Sequence, residues 1–179
     1  MSKHKNSNHK KAVITVVAAL FLLQLYSMIF FFSAQDSAES GNLSRMISEK
    51  CVELVNSLTG RHWTRIVMEE MAAYFEHPIR KLAHFLEYAY MGVLVYLMWR
   101  PFKQRGRFLY LVTVLWVFLS AAGDEFHQLF VPGRYGCFAD VLLDTCGGAF
   151  GVVICVMGEK LWGKYLKKRQ VDKKSAVTS

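Results

Sequence analysis

Acidic, basic and imidazole side chains gather in three short stretches of a largely apolar sequence. The first stretch contains His84 and Glu87, and the second contains Asp124 and Glu125. A histidine close to a carboxylate can act as a general acid or base, so these four residues are the catalytic candidates. No serine or cysteine in a nucleophile motif accompanies them. Catalysis is therefore one hypothesis among several.

The same stretches also carry side chains that are suited to binding a polar ligand. Arg80, Lys81 and Arg134 can bind a phosphate or carboxylate group through charge-assisted hydrogen bonds. At about 100° per residue, further polar side chains lie on or beside the same helix faces. These additional ligand-binding candidates are Tyr88, Gln128, Asp140 and Asp144.

A divalent cation is an alternative occupant of this region. One histidine with several carboxylates suits a hard or borderline metal. The side chains concerned are His84, Glu87, Asp124 and Asp144. Their spacing matches no diagnostic metal motif, so metal ligation is left open and no cofactor is expected.

Four apolar runs must position these groups, and they predict an all-α membrane protein. Their bounds are 12–32, 82–99, 108–130 and 141–157, and the first has no charged residue. About 20 apolar residues cross the hydrocarbon core of a bilayer. The sequence therefore predicts a four-transmembrane-helix bundle over 12–157, between a basic N-terminus (1–11) and a basic tail (158–179). A cleavable signal peptide is an alternative for the first run, which is long for that role.

The distribution of positive charge predicts that both termini lie in the cytoplasm, because cytoplasmic segments carry an excess of lysine and arginine. The cytoplasmic residues would be Lys3, Lys5, Lys10, Lys11, Arg100, Lys103, Arg105, Arg107, Lys160, Lys164, Lys167, Lys168, Arg169, Lys173 and Lys174. These side chains would face anionic lipid. The net charge of +8 therefore does not indicate a nucleic-acid partner.

The segment 33–80 is then an extracytoplasmic loop. Apolar residues at spacings of three and four predict one amphipathic helix over 43–58, ending at Thr59-Gly60, and a second over 63–75. His77-Pro78 predicts a break before the next helix, since the residue before proline avoids the helical region. The two short helices would lie in the membrane interface or cap the bundle, or form a lid over a site.

The four cysteines form no CxxC pair, which argues against a zinc or dithiol motif. Cys51 and Cys137 would both lie outside the cell, where they could pair or stay free.

The polar side chains are also predicted to lie at one depth. A rise of about 1.5 Å per residue places Asp124 roughly 24 Å from the cytoplasmic edge, near the outer surface. His84, Glu87, Asp140 and Asp144 would reach a similar level. Glu125 would point away from the face of Asp124. Buried acids persist in membranes where they are paired, hydrated or functional. The sequence therefore predicts an outward-facing polar pocket, and a purely structural salt-bridge network is the alternative.

The sequence resembles the VanZ-like family of bacterial membrane proteins. The resemblance lies in RKLAHFLEY (80–88), DEFHQLFVPGR (124–134), DVLLDTCGG (140–148) and FSAQDS (32–37). The residues that match the family pattern are Lys81, His84, Tyr88, Asp124, Glu125, Gln128, Arg134, Asp140 and Asp144. The resemblance implies a role in the cell envelope, since the founding member is linked to resistance against teicoplanin-type glycopeptides.

The main functional hypothesis is an envelope protein of the bacterial cytoplasmic membrane whose pocket binds a cell-wall precursor or a lipid-linked ligand. One alternative is a membrane-embedded enzyme acting on a lipid or wall-precursor head group, and another is a structural scaffold or small carrier. Membrane lipids are the expected surroundings. Gly147 and Gly151 form a GxxxG motif that would pack α-helices within the chain or, alternatively, in a homodimer.

Overall fold

The computed structural model describes the backbone of residues 2–35, 37–102 and 106–178, and the side chains of 8–35, 41–102 and 106–170. Some residues used in the sequence predictions lie outside these described parts. They are Asp36, Lys103 and Arg105, and the side chains of Lys3, Lys5, Ser37, Lys173 and Lys174.

The described residues form five α-helices, one 3₁₀ turn and no strand. The elements are α1 (Ser2–Ser33), α2 (Ser37–Thr59), α3 (Arg65–Trp99), the 3₁₀ turn Arg100–Phe102, α4 (Arg107–Gln128) and α5 (Phe138–Thr178). Four stretches are long and apolar enough to cross a membrane, namely Asn8–Ser33, Arg65–Phe102, Arg107–Gln128 and Phe138–Gln170. The predicted fold class, an all-α membrane bundle, is therefore confirmed.

α3 continues through Pro78, so the helix break predicted there is wrong. Proline removes one backbone donor and crowds the preceding turn. In the structure α2 packs along this part of α3 and bonds to it on both sides of the proline. Ser48 Oγ donates to the carbonyl oxygen of Ala72 at 2.6 Å, and Arg80 Nε donates to Ser44 Oγ at 3.3 Å. We attribute the continuity of α3 to these tertiary contacts.

α2 and the first four turns of α3 form an antiparallel pair, which we call the arm. The predicted second amphipathic helix is thus the start of α3 rather than a separate element. The predicted end of the first helix is confirmed, because α2 stops at Thr59 and Gly60 follows with a φ of 61°. Glycine adopts this left-handed conformation without steric cost, which makes it a common helix terminator.

α3 and α5 touch through glycines over several turns. A Cβ atom on Gly147 would collide with the carbonyl oxygen of Phe85, and one on Gly151 would collide with that of Ala89. Small residues let membrane helices approach this closely. The GxxxG motif therefore faces α3 of the same chain, and we call this contact the glycine seam.

The rest of the core joins α1 and α4 to α3. Tyr88, Met91 and Val95 of α3 are fully buried against Val117 and Ala121 of α4. Three α1 residues belong to the same cluster, namely Leu22, Leu25 and Ile29. The burial of such side chains from water or lipid into a close-packed interior fixes the relative positions of the helices.

Polar contacts tie the helices together at both ends of the bundle. At one end, which we call the charged end, Lys81 pairs with Asp140 and Arg134 donates to the carbonyl oxygen of Phe32 at 3.0 Å. At the opposite end, Glu159 of α5 pairs with Arg100 and accepts a hydrogen bond from Tyr96 at 3.1 Å. The charged end brings together the last turns of α1 and α4, the first turn of α5 and the middle of α3.

Candidate functional site

A cavity of about 270 Å³ opens at the charged end, between α3, α4, α5 and the segment 129–137. We call it the charged cavity. Its lining residues are His77, Arg80, Lys81, His84, Glu125, Gln128, Gly133, Arg134, Tyr135, Asp140, Leu143 and Asp144. Positive, negative and imidazole groups thus share one small volume, which suits a ligand with several polar groups.

Each cation of the charged cavity already has a partner in the protein. Lys81 Nζ lies 2.8 Å from Asp140 Oδ1, and Arg80 bonds to Glu76 at 3.0 Å. Arg134 reaches across to the last turn of α1. These three cations are therefore already engaged, and a ligand would meet an ordered set of donors and acceptors rather than free positive charge.

Two buried polar atoms in this cavity have no hydrogen-bond partner among the described residues. Asp144 is only 2 % exposed, and its Oδ1 atom is one of them. The other is His84 Nδ1, which lies 3.6 Å from Glu87 Oε2, too far for a hydrogen bond. Leaving such groups unsatisfied costs about 1–3 kcal/mol each. Both atoms are therefore suited to receive a polar group from a ligand or from water.

Glu125 lines the charged cavity and does not share the face of Asp124 on α4, as helical periodicity predicts. Its Oε2 atom accepts a 2.7 Å hydrogen bond from the backbone N–H of Cys137, just before α5. The chain between α4 and α5 therefore turns back to Glu125, whose side chain stays partly exposed. Glu125 therefore both bonds to the loop before α5 and lines the charged cavity.

Asp124 lies on the other side of α4 and lines a different cavity. Its Oδ2 atom accepts a 3.0 Å hydrogen bond from Gln128 Nε2, and Gln128 itself lines the charged cavity. The Asp124–Gln128 pair therefore stands between the two cavities.

The second cavity, which we call the lateral groove, has a volume of about 540 Å³ and lies between α1, α3 and α4. Its lining residues are Tyr26, Ile29, Phe30, Tyr88, Trp116, Leu119, Ser120, Gly123, Asp124 and His127. At the charged end, the rings of Phe30 and His127 lie 5.0 Å apart and join α1 to α4.

The structure therefore divides the predicted single pocket into two cavities. Eight of the eleven predicted site residues line the charged cavity, whereas Tyr88 and Asp124 line the lateral groove. Glu87 lines neither, and the four catalytic candidates do not converge on one point. No described residue of α2 lines either cavity, whereas His77, in the α3 part of the arm, lines the charged cavity.

Sequence reasoning missed several lining residues. His77 was read as part of a helix break, and Tyr135 lies in a loop whose path no periodicity reveals. In the lateral groove, Tyr26 and Trp116 were read as ordinary span residues. Aromatic residues with polar tips inside an apolar run were the available signal, because a buried hydroxyl or indole N–H needs a partner.

The described residues offer no arrangement of three or more histidine, cysteine, aspartate or glutamate side chains able to hold a metal ion. The hypothesis of a divalent cation thus gains no support from the geometry. All four cysteines are free, and Cys51 and Cys137 are both exposed.

Comparison with known proteins gives a family assignment. No curated protein and no solved structure matches the chain. The family model described as VanZ/LLP1 matches residues 18–160, a range that contains α2 to α4, both cavities and the glycine seam. Because this range is most of the 179 residues, the chain belongs to the VanZ/LLP1 family.

Proposed function

We propose that this protein is a multi-pass protein of the bacterial cytoplasmic membrane, with both termini in the cytoplasm and the charged cavity facing outward. In this proposal the charged cavity binds the polar head group of a cell-wall precursor or another lipid-linked ligand. Binding lowers the capture of teicoplanin-type glycopeptides at the cell surface. Family membership supports the envelope role and the link to glycopeptide resistance at the level of the family.

The observation that carries the proposal is the unpartnered carboxylate oxygen of Asp144. Asp144 lies at the boundary between the charged cavity and the glycine seam, and it is almost completely buried. An acid in this position would normally be paired on both oxygens, since burying an unpaired charge is expensive. A ligand that supplies a hydrogen-bond donor to Asp144 Oδ1 would satisfy it.

The side chains that line the charged cavity indicate which chemical class of ligand would fit it. Arg80 and Lys81 are engaged by Glu76 and Asp140, so a simple anion would have to displace carboxylates that are already bound. A head group rich in hydroxyl and amide groups fits better, because it can donate to acids and accept from cations at once. Sugar and peptide portions of wall precursors have this character.

Expression in a glycopeptide-susceptible host tests the proposal. The parent protein should raise tolerance and reduce the amount of fluorescent teicoplanin bound to the cells. Asp144→Leu, which keeps the number and branching of the side-chain heavy atoms and removes both acceptors, should return both measurements to the level of cells without the protein. The control is Glu53→Leu, which removes an exposed carboxylate on α2 that lines neither cavity. Equal protection by parent and Asp144→Leu at equal protein level would refute the role of the charged cavity.

A further inference from the structure

We infer that the lateral groove holds one acyl chain of a phospholipid taken from the surrounding bilayer, with an oxygen of that lipid accepting a hydrogen bond from Tyr88. This inference goes beyond the proposed function, because binding of a head group in the charged cavity does not by itself require a site for a chain.

The position and walls of the groove favour a hydrocarbon occupant. It lies between helices that are long and apolar enough to cross a membrane, and its volume is in the usual range for a small-molecule site. Phe30 and Leu119 on its rim are strongly exposed, so the groove opens on the side of the bundle where lipid chains lie. Ile29 adds a buried apolar surface to its inner wall.

The polar atoms of three groove residues satisfy one another, which leaves a wall that hydrocarbon can contact. Trp116 Nε1 donates to Tyr26 Oη at 2.9 Å, Tyr26 Oη lies 2.5 Å from Ser120 Oγ, and Ser120 Oγ donates to the carbonyl oxygen of Trp116 at 2.9 Å. Polar groups facing lipid must be paired inside the protein. This closed network meets that requirement without a ligand.

Tyr88, in contrast to these three groove residues, has a polar atom left unsatisfied by the described residues. It is fully buried and lines the groove, yet its hydroxyl has no hydrogen-bond partner among the described residues. Asp124, which also lines the groove, is already bonded to Gln128. A buried hydroxyl donor calls for an acceptor, and the ester carbonyl or phosphate oxygen of a phospholipid supplies one at the polar end of an acyl chain.

The absence of a side chain at Gly123 leaves room for the acyl chain in the lateral groove. Gly123 lines the groove near the end of α4, and a Cβ atom built on it meets no atom within 4 Å. Glycine weakens a helix interior relative to alanine, and no close packing at this position requires it. A larger side chain here would project into open space and fill the groove without a collision in the protein.

The experiment uses the full chain reconstituted in liposomes containing a phosphatidylglycerol whose acyl chain carries a diazirine. After irradiation, cross-linked peptides are identified by mass spectrometry. We expect labelling at Trp116, Ser120 and Gly123 to exceed labelling at Val153 and Ile154, which are exposed on α5 outside the groove. Labelling no greater at the groove than on α5 would refute the inference.

Gly123→Leu should reduce the groove labelling about tenfold, since it excludes roughly two methylene groups of the chain. Gly158→Leu is the matched control, because a Cβ on Gly158 also meets nothing and Gly158 lines no groove. Tyr88→Phe, which removes a hydroxyl with no described protein partner, should reduce the labelling while the unfolding midpoint stays at that of the parent. Unchanged labelling in both Gly123→Leu and Tyr88→Phe would also overturn the site.

Two further measurements test this inference independently of the proposed function and distinguish a phospholipid from a prenyl lipid. Asp144→Leu should keep the groove labelling although it loses glycopeptide tolerance, so each proposal can fail alone. A diazirine-bearing prenyl phosphate at the same mole fraction should label the groove less than the phospholipid does. Preferential labelling by the prenyl probe would overturn the assignment of an acyl chain.

Discussion

Lys81 Nζ of α3 lies 2.8 Å from Asp140 Oδ1 in the first turn of α5, so two residues 59 positions apart close the charged end of the bundle. The same two helices touch through the glycine seam deeper in the bundle. Asp140 also lies where a carboxylate is favoured by the dipole of α5. The ion pair therefore combines a contact between helices with a favourable helix terminus, at the mouth of the charged cavity.

The strength of this ion pair can be measured with a double-mutant cycle of Lys81→Met and Asp140→Asn. Both side chains are partly exposed, at 40 % and 33 %, so solvent screening limits their interaction. We expect a coupling energy of about 0.2–1 kcal/mol in the free energy of unfolding. Unfolding of the purified protein in mixed micelles gives the four values needed. A coupling above about 2 kcal/mol would mean that the pair is much better shielded than the structure indicates.

The glycine seam predicts a strong difference between two substitutions of the same type. Gly151→Leu places side-chain atoms against the backbone of Ala89, which cannot move without displacing α3. We expect a loss of about 3 kcal/mol or more in the free energy of unfolding, at the upper end for overpacked cores. Gly158→Leu, in open space on the same helix, should be tolerated. Equal stability of the two variants would contradict the close approach of α3 and α5.

The proposed orientation predicts which cysteines a membrane-impermeant maleimide can reach in intact cells. In a variant that keeps Cys137 alone, the exposed thiol just before α5 should react without permeabilisation. Asn8→Cys in a cysteine-free background should react only after the membrane is permeabilised, since Asn8 is exposed near the start of the first span. The reverse pattern would place the charged cavity on the cytoplasmic side. A denatured sample of each variant controls for the intrinsic reactivity of the thiol.

Helical spacing accounts for several of the residues that line the charged cavity. Arg80, Lys81 and His84 recur on one part of α3, and Asp140 and Asp144 are one turn apart on α5. A regular helix converts such spacing into a shared face, which explains why residues from separate helices could be placed together. The glycine motif likewise indicated a close helix contact before the neighbour was known.

Other features of the fold and the site could not be predicted from the sequence, because they depend on tertiary contacts that helical periodicity does not show. The hydrogen bond of Glu125 to Cys137 depends on the loop after α4, which turns back towards α4, and helical periodicity carries no information on a loop path. Pro78 was read as a break from the local preference of the residue before proline, which carries no information on the packing of α2 against α3. The division into two cavities depends on the hydrogen bond between Asp124 and Gln128. Sequence spacing does not show which of several possible partners a polar side chain bonds to.

The glycine seam also determines which parts of the charged cavity are able to adapt. Backbones in direct contact leave no intervening side chains to change rotamer, so α3 and α5 must shift together or not at all. Two sides of the cavity are therefore rigid with respect to each other. Any widening of the cavity then falls to the segment 129–137, where Gly133 already adopts a φ of 74°. Ligands of different size would consequently be accommodated by movement of the segment 129–137.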